Sequence, residues 1–300
     1  MKVASIVEPS GPRAALVEGD RVFPLSEGGA ALTVREVIER TGGDLSRCDA
    51  FAGSGSACSL DAVTFAPAVP DPGAIWCAAL TFMTHVTEAP GRAAPDQPLF
   101  FLRLPVSQVG HRRPLVRPAV STQLDYEGEL AVVMGRRARH VRLDEALGLV
   151  AGYSCYDEGS VRDWQRHSTQ ITPGKNFAAT GGFGPWLVSA DEFGDPYSHR
   201  ITTRVNGEVR QDESIDALLF RIEYLIHYLS TIHPLEPGDV VVCGTPGGVG
   251  ARREPPSFLE PGDVVTVEID GIGTLENPVV DEQPEREVSW TAATAEAVRS

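Results

Sequence analysis

The seven residues Leu-Glu-Pro-Gly-Asp-Val-Val occur twice in the chain, at 235–241 and again at 259–265. Proline presets the first central position of a tight turn, and glycine readily adopts the conformation that the second position requires. The two valines that follow favour an extended strand. A turn that leads into a strand and is used twice in this way predicts antiparallel β architecture rather than a solenoid.

Short apolar runs and turns alternate along much of the remaining chain. They predict strands at 3–7, 14–17, 21–25, 129–134, 240–243 and 264–269. A helix is predicted over 33–40, where the glycines at 42 and 43 end it. A longer helix is predicted from Ile215 to Leu229, because apolar residues recur there at helical spacing. We expect that helix to end at His233-Pro234 and to pack across a sheet as part of the core.

Glycine, serine and proline interrupt the pattern between 53 and 72. We therefore expect a small N-terminal domain over 1–70 and a larger domain over 71–282. Residues 283–300 are polar and have no hydrophobic period, so a C-terminal tail is predicted there.

Acidic residues outnumber basic residues by 41 to 26, which gives a formal net charge of −15. A field of that sign repels phosphate backbones and anionic lipid, so nucleic acid and membranes are not expected as partners. The N-terminal residues have no secretion-signal pattern, and no apolar run is long enough to span a membrane. Five cysteines without paired spacing indicate reduced thiols and a cytoplasmic location.

Two glutamates, Glu127 and Glu129, lie on one predicted strand, and alternation along a strand puts their side chains on the same face. That face continues into apolar residues, and neighbouring carboxylates in a partly buried setting need a cation. Oxygen ligands favour a hard ion such as Mg²⁺, Mn²⁺ or Ca²⁺. The alternative is an exposed edge strand with two ordinary surface glutamates, and spacing alone leaves both interpretations open.

A second acidic pair, Asp157 and Glu158, precedes a predicted helix. Ser160 and Asp163 have the spacing of a capping box, so the helix should begin after Ser160. The two acids would then lie in the loop before the helix, where they could face a metal or simply stabilise the helix N-terminus. Arg162 and the glutamine at 165 would share one face of that helix.

Two further features suggest a site. Lys175 is one of only two lysines among the 26 basic residues, which indicates either chance or a position that requires a compact ammonium group. His85 and Glu88 lie three residues apart, and on a helical turn the carboxylate would orient the imidazole so that it can activate water. An ordinary surface pair is the alternative.

The glycine-rich segment 244–250 follows a predicted strand. The prolines at 255 and 256 prevent a helix from starting after it, so it is not a dinucleotide-binding fingerprint. We expect its backbone amides to receive an oxygen of the substrate.

Several short motifs occur in the order typical of the fumarylacetoacetate hydrolase superfamily, and they resemble most its branch of acylpyruvate hydrolases and 2-hydroxyhepta-2,4-diene-1,7-dioate isomerases. The motifs lie at 125–130, 159–163, 174–177, 184–188, 205–208, 244–250, 261–265 and 271–277. The resemblance covers residues 74 to 280. It implies an α+β, mainly β fold, in which a mixed β-roll catalytic domain follows a small β-rich N-terminal domain, and a homodimer.

The resemblance also implies a divalent metal, Mg²⁺ or Mn²⁺ with Ca²⁺ as a further option, held by three carboxylates. Glu127 and Glu129 match the first two ligands. The third position falls on Glu158, where the family usually has aspartate, and Asp157 beside it is a possible substitute.

Other residues match positions at which the family contacts its substrate. Lys175 matches the lysine that faces the substrate, and His85 and Glu88 match a catalytic pair on a segment that orders over it. Further polar contacts are implied for Arg162, Gln165 and Thr245. The sequence departs from the family pattern at Leu80-Thr81-Phe82-Met83, and at Arg103, which replaces a frequent lysine.

The implied reaction is hydrolysis of a C–C bond in a β-diketo acid of the acylpyruvate type. The metal would chelate the anionic substrate and stabilise an enolate, while His85 and Glu88 activate water, and Lys175 and the Thr245 loop stabilise oxyanions. One alternative is isomerisation or decarboxylation of an unsaturated 2-oxo-diacid in aromatic-compound catabolism. Another is a metal-dependent binding or scaffold protein without catalytic activity.

Overall fold

Strands dominate the structure, a computed structural model that describes residues 1–53, 57–89, 91 and 93–283. In chain order the strands are β1 (Lys2–Glu8), β2 (Gly11–Glu18), β3 (Arg21–Pro24), β4 (Ser26–Glu27), β5 (Ala30–Ala31), β6 (Cys58–Ser59), β7 (Ile75–Ala79), β8 (Leu99–Arg103), β9 (Gln108–Val109), β10 (Leu115–Arg117), β11 (Leu124–Asp125), β12 (Gly128–Met134), β13 (Val150–Asp157), β14 (Ser160–Val161), β15 (Gly181–Ser189), β16 (Arg200–Val205), β17 (Glu208–Ser214), β18 (Val240–Val242), β19 (Val264–Ile269) and β20 (Gly273–Asp281). The α-helices are α1 (Val34–Arg40), α2 (Met83–Thr87), α3 (Arg162–Gln165), α4 (Thr172–Lys175), α5 (Ala190–Phe193) and α6 (Ile222–Ile232).

The largest sheet has eleven strands in the order β6-β3-β2-β1-β15-β13-β12-β18-β7-β8, with β9 paired to β15 off this path. A five-stranded sheet has the order β10-β20-β19-β16-β17, and two further pairs are β11–β14 and β4–β5. The expected α+β, mainly β fold is confirmed. In the part of the chain that is described, no helix has both the length and the apolar character needed to cross a membrane.

The two copies of the repeated heptapeptide form the same turn. The side chain of Asp239 accepts the amide of the glutamate three residues earlier at 2.8 Å, and Asp263 makes the equivalent bond at 2.8 Å. The second copy leads into β19, whose neighbours are both antiparallel, as predicted. The first leads into β18, which is antiparallel to β12 but parallel to β7, so the antiparallel prediction is wrong on that side.

The N-terminal elements agree with their predictions. The three predicted strands are β1, β2 and β3, and the predicted helix is α1, which Thr33 and Glu36 cap reciprocally. Strand β1 pairs with β15, so the large sheet includes strands from both sides of residue 70. The division at residue 70 stays a prediction, and the predicted tail at 283–300 lies outside the described residues beyond 283.

Strand β12 is buried on both faces and lies at the centre of the core. Leu130 and Val132 pack in one apolar cluster with Ile226 of α6 and with residues of the five-stranded sheet. Ala131 and Val133 point the other way and pack in a second cluster with the apolar face of α1. This sandwiching explains why the apolar part of the strand reads as a continuous run.

The long helix predicted from Ile215 begins later, at Ile222, and ends at Ile232 as expected. Residues before it leave the helical path because Leu219 donates its amide to the carbonyl of Thr81 at 2.7 Å, and Leu218 forms a bridge with Phe82. The first part of the predicted apolar stripe, at Leu218 and Leu219, therefore contacts the segment that precedes α2, and only the second part forms the helix. The prediction that the helix itself packs against a sheet as part of the core is confirmed.

Candidate active site

Three glutamates meet at the N-terminal end of β12. One carboxylate oxygen from each of Glu127, Glu129 and Glu158 lies within 4.8 Å of the others. The antiparallel register of β12 and β13 opposes Gly128 to Asp157, which brings the ends of the two strands together. The three side chains belong to residues that are 3%, 1% and 1% exposed, so an exposed edge strand is excluded.

Three buried cations accompany these carboxylates, and one of them, Arg103, has its Nη1 atom 3.9 Å from Glu158 Oε1. The ammonium nitrogen of Lys175 lies 2.5 Å from Glu127 Oε2 and 3.0 Å from Glu158 Oε2. Arg162 Nη2 lies 2.7 Å from Glu127 Oε1. Burial opposes the charged form of Glu127, but Arg162 and Lys175 outweigh it and hold the pKa of Glu127 well below its usual range. The expectation that Lys175 occupies a position with a specific requirement is consistent with this placement.

Two further features of the carboxylate cluster fit a divalent cation. Burial, together with the charges of Glu158 and Glu127, raises the pKa of Glu129 well above its ordinary value. Glu158 Oε1 is buried and accepts no hydrogen bond from any described residue. An all-oxygen set in which one carboxylate oxygen accepts no hydrogen bond from the described residues suits a hard cation, so Glu127, Glu129 and Glu158 are the residues that would hold it.

The neighbouring acid Asp157 lies outside this group. Its Oδ1 accepts the backbone amide of Glu127 at 2.9 Å, and it is the last residue of β13 rather than part of a loop. Burial raises the pKa of Asp157 to about 7. The geometry therefore places Glu158, and not Asp157, among the three clustered carboxylates.

The predicted capping box at Ser160 is wrong. Helix α3 has Val161 at its N-cap position, without a side-chain cap, because Ser160 lies in strand β14. The Ser160 hydroxyl donates instead to Glu127 Oε2 at 3.1 Å, and Asp163 accepts the hydroxyl of Ser121 at 2.7 Å. The local spacing predicts a cap at Ser160. It cannot show that the pairing of β11 with β14 brings Glu127 near as an acceptor for the Ser160 hydroxyl.

His85 and Glu88 contact each other across one turn at the end of α2. His85 Nδ1 lies 2.7 Å from Glu88 Oε2, and both side chains are largely buried. The second carboxylate oxygen of Glu88 accepts the amide of Gly248. Because an ionised carboxylate only accepts hydrogen bonds, Nδ1 of His85 is the donor in this contact, and in the neutral imidazole the lone pair is then on Nε2.

In the glycine-rich loop at 244–250 the glycine amides are not free for a substrate, so that expectation is wrong for the four glycines. No described residue accepts the amides of Thr245 and Val249, which line the cavity, and for these two it stays a prediction. The amides of its four glycines already donate to side chains of this chain: to Glu129 from Gly244, to Thr84 from Gly247, to Glu88 from Gly248 and to Asp125 from Gly250. A Cβ atom at Gly244 would lie 1.9 Å from the hydroxyl oxygen of Thr81. Glycine is thus required by close packing against the segment that leads into α2.

The polar residues implied as substrate contacts have partners of their own. Arg162 Nε donates to Asp125 at 2.8 Å, and its Nη1 donates to Gln165 at 3.2 Å. The Thr245 hydroxyl donates to the carbonyl of Gly128 at 3.0 Å. All three predicted residues still line the cavity, and their contact with a substrate stays a prediction.

Two buried residues of the site carried no assigned role in the sequence. Asp125 lies in the same motif as Glu127, which was a usable signal, and it ties Arg162 to the amides of Gly250 and Ala251. Gln211 comes from β17 of the other sheet, accepts the amide of Gly128 at 2.9 Å and donates to the Thr245 hydroxyl at 2.7 Å. Nothing in the sequence around Gln211 could have placed it there.

The carboxylate cluster and the imidazole of His85 face one cavity of about 800 Å³. Its wall also includes apolar side chains of β7 and β8. Charged residues in the lining are Glu127, Glu129, Glu158, Arg162, Arg166, Lys175 and Arg252.

Known proteins share this architecture. The oxaloacetate tautomerase FAHD2A, mitochondrial, of Homo sapiens is 38% identical over 220 residues, which cover 73% of this chain and 70% of that protein. The structure of a fumarylacetoacetate hydrolase from psychrophilic Exiguobacterium antarcticum has a TM-score of 0.80 and 32% identity, over 94% of this chain and all of that one. The maleylpyruvate hydrolase from Sphingobium sp. SYK-6, in complex with manganese(II) ion and pyruvate, has a TM-score of 0.77 and 25% identity, over 94% of this chain and 100% of that one.

A sequence profile described as fumarylacetoacetate (FAA) hydrolase C-terminal matches residues 74–280, the range in which the motifs occur. The match includes all three clustered glutamates, the His85–Glu88 pair and Lys175. The chain therefore belongs to the fumarylacetoacetate hydrolase family of enzymes.

Proposed function

We propose that this chain is a divalent-metal-dependent enzyme that interconverts the keto and enol forms of a 2-oxo acid. The observation that carries the proposal is that a buried cluster of three carboxylates and an oriented imidazole face the same cavity. The name of the human relative, oxaloacetate tautomerase, supports a substrate of the oxaloacetate class. Such a substrate is anionic, and a bound cation would offset its repulsion by the acidic protein.

A divalent ion held by Glu127, Glu129 and Glu158 would act as a Lewis acid that stabilises negative charge on the keto oxygen. Lys175 offsets part of the negative charge of the three glutamates. Lys175 uses two of its three ammonium protons on Glu127 and Glu158, which leaves one for a substrate oxygen.

His85 is the group that we assign to the proton transfer. Its Nδ1 proton is committed to Glu88, so Nε2 can remove a proton from the carbon beside the keto group and return one to it. Both oxygens of Glu88 are occupied, by His85 and by the amide of Gly248. Glu88 therefore orients the imidazole and stabilises its charged form, and it is not itself free to accept the proton.

Hydrolysis of an acylpyruvate-type β-diketo acid is the second candidate, and the same pair favours it because an oriented imidazole can also deprotonate water. The maleylpyruvate hydrolase of Sphingobium, a structural relative, supports it. Hydrolysis also needs donors for an oxyanion at the distal carbonyl. The glycine amides of the 244–250 loop already have acceptors within the chain, so the candidate donors are the amides of Thr245 and Val249 and the third ammonium proton of Lys175. We rank proton transfer first because it needs only the cation site and the oriented imidazole.

The experiment follows two substrates with Mg²⁺ or Mn²⁺ and with EDTA. We expect the metal-loaded enzyme to speed the loss of enol-oxaloacetate absorbance above the buffer rate, and to release no pyruvate from acetylpyruvate. His85→Asn should abolish the acceleration, whereas His140→Asn, a change at an exposed histidine, should not. Pyruvate release from acetylpyruvate without enol turnover would establish the hydrolase instead, and metal binding with neither activity would establish the scaffold interpretation.

Three further expectations from the resemblance belong with this proposal. The homodimer predicts twice the chain mass of 32.2 kDa in sedimentation equilibrium. A role in aromatic-compound catabolism predicts activity with unsaturated 2-oxo-diacids. The cytoplasmic location predicts recovery of the native protein in the soluble cytosolic fraction of its source.

A further inference from the structure

The charged groups of the cavity are segregated by depth. The carboxylates of Glu127 and Glu158 are buried and contact the buried cations. Arg166 and Arg252 line the same cavity but are solvent-exposed residues, so they lie at its mouth. Among the residues that the structure describes, the lining contains no acid other than the three clustered glutamates, so the mouth is cationic on a chain whose net charge is −15.

The two arginines at the mouth differ in their bonding. The guanidinium of Arg166 donates a hydrogen bond to the side-chain oxygen of Gln123 at 2.8 Å. The guanidinium of Arg252 makes no hydrogen bond or ion pair with any residue that the structure describes, although its neighbour Arg253 pairs with Glu208. A guanidinium presents a planar set of donors that matches a carboxylate, so Arg252 is ready to accept one from a ligand.

The backbone that carries Arg252 is fixed relative to the carboxylate cluster. The two preceding amides, of Gly250 and Ala251, donate to the two oxygens of Asp125 at 2.8 and 2.9 Å. Asp125 in turn accepts Arg162 Nε at 2.8 Å, and Arg162 contacts Glu127. An anchored backbone reduces the entropy lost when the side chain binds a ligand, although Arg252 itself is exposed.

We propose that Arg252, with Arg166 beside the same opening, forms a carboxylate subsite at the cavity mouth and determines specificity. This inference rests on the proposed function, and it names the substrate class as 2-oxo acids with a second carboxylate at the end remote from the keto group. The keto end would lie at the glutamate cluster. The distal carboxylate would reach the mouth, across a cavity of about 800 Å³ that accommodates acids longer than oxaloacetate.

The test compares two acids of equal length, 2-oxoadipate and 2-oxohexanoate, which differ only in the distal carboxylate. Calorimetry measures the Kd of each with Mn²⁺ and with EDTA. We expect 2-oxoadipate to bind about tenfold more tightly to the parent, and Arg252→Gln to remove most of that preference. Arg166→Gln should reduce the preference by about threefold, and Arg253→Gln, the matched control outside the cavity lining, should retain it.

The outcomes separate the two proposals. Equal affinity for both acids in the parent, or a preference that survives in Arg252→Gln, would overturn the subsite, while metal-dependent binding of both acids would leave the proposed function standing. A diacid preference that depends on Arg252 but not on Mn²⁺ would support the subsite and overturn the proposed function. Absence of binding by either acid would overturn both.

Discussion

The two ends of strand β12 are equally buried and chemically opposite. At the N-terminal end, Glu129 contributes a carboxylate to a cluster whose mutual repulsion burial intensifies. At the other end, Val132 and Val133 are fully buried in the apolar clusters on the two faces of the sheet. Burying charge opposes folding, and burying apolar surface drives it. The valines at the C-terminal end of β12 therefore stabilise the fold, and they offset the destabilisation caused by the buried carboxylate at the N-terminal end. The contrast implies that activity and stability can be changed separately along a single strand.

The strongest test of this contrast is Glu129→Gln. We expect metal-dependent activity to fall by about a hundredfold or more, since a charged ligand is lost. In EDTA the variant should unfold at the same or a higher temperature than the parent. The reason is that the pKa of Glu129 is raised by folding, so its ionisation destabilises the native state increasingly as pH rises above the unfolded pKa, and glutamine cannot ionise. Activity assays and thermal unfolding from pH 5 to 8 check both effects.

The control for that variant is Glu268→Gln, which removes an exposed carboxylate of β19 that pairs with Arg204. It should change neither activity nor the metal-dependent rise in unfolding temperature. If Glu129→Gln is less stable than the parent in EDTA, the inference that the buried carboxylate at the N-terminal end of β12 destabilises the fold is contradicted.

The reciprocal change at the other end is Val132→Ala. Removing two buried methyl groups should lower the free energy of unfolding by about 2 kcal/mol, through lost apolar burial and the cavity that remains. Urea unfolding measures the loss. Activity per folded molecule should be unchanged, and a fall comparable to that of Glu129→Gln would show that the two ends are not separable.

The repeated turn sharpens the comparison, because the carboxylate of Asp239 is buried and that of Asp263 is partly exposed. Asp239 satisfies the amides of Glu236 and Ala74, whereas Asp263 bonds the amide of Glu260 and the exposed side chain of Asn206. We expect Asp239→Ala to cost about 2 kcal/mol and Asp263→Ala less than about 1 kcal/mol. Urea titrations of both variants measure the loss in unfolding free energy. Equal losses for Asp239→Ala and Asp263→Ala would show that burial of the hydrogen-bonded carboxylate does not change its contribution to stability.

The smallest expected effect concerns a titratable group remote from the cavity. Burial, with the charge of Arg112, lowers the pKa of His111 to about 4, and its ring lies against Phe65. A base whose pKa falls on folding stabilises the native state above the unfolded pKa near 6.5, and that stability is lost as pH falls towards 4. His111→Asn should reduce the loss in unfolding free energy between pH 7 and 5 by about 1 kcal/mol, and an unchanged pH profile would contradict this.

Sequence patterns were informative where a local rule determines structure. Alternation predicted that Glu127 and Glu129 lie together, and they do, although Glu127 precedes β12 and only Glu129 is in the strand. The family motifs, by counting back from Asp163, indicated Glu158. The turn chemistry of the heptapeptide was correct in both copies. These features depend on residues that are near one another in the chain.

Features that depend on distant partners were not predictable in this way. The apolar stripe could not show that Leu219 bonds Thr81 and leaves the helix. Ser160 looked like a cap because its acceptor, Glu127, is brought near only by strand pairing. The glycine loop predicted an anion site, although the acceptors for its four glycine amides come from two distant stretches of the chain, 84–88 and 125–129.

One loop of glycines, 244–250, supports both halves of the proposed chemistry, since its amides hold Glu129 on one side and Glu88 on the other. Hydrogen bonds from one short stretch of backbone thus help to set the spacing between the cation ligands and the imidazole. A protein engineer who redesigns the cavity mouth could exchange Arg252 while that spacing is preserved. A single bulky residue introduced at Gly244 would displace both halves together.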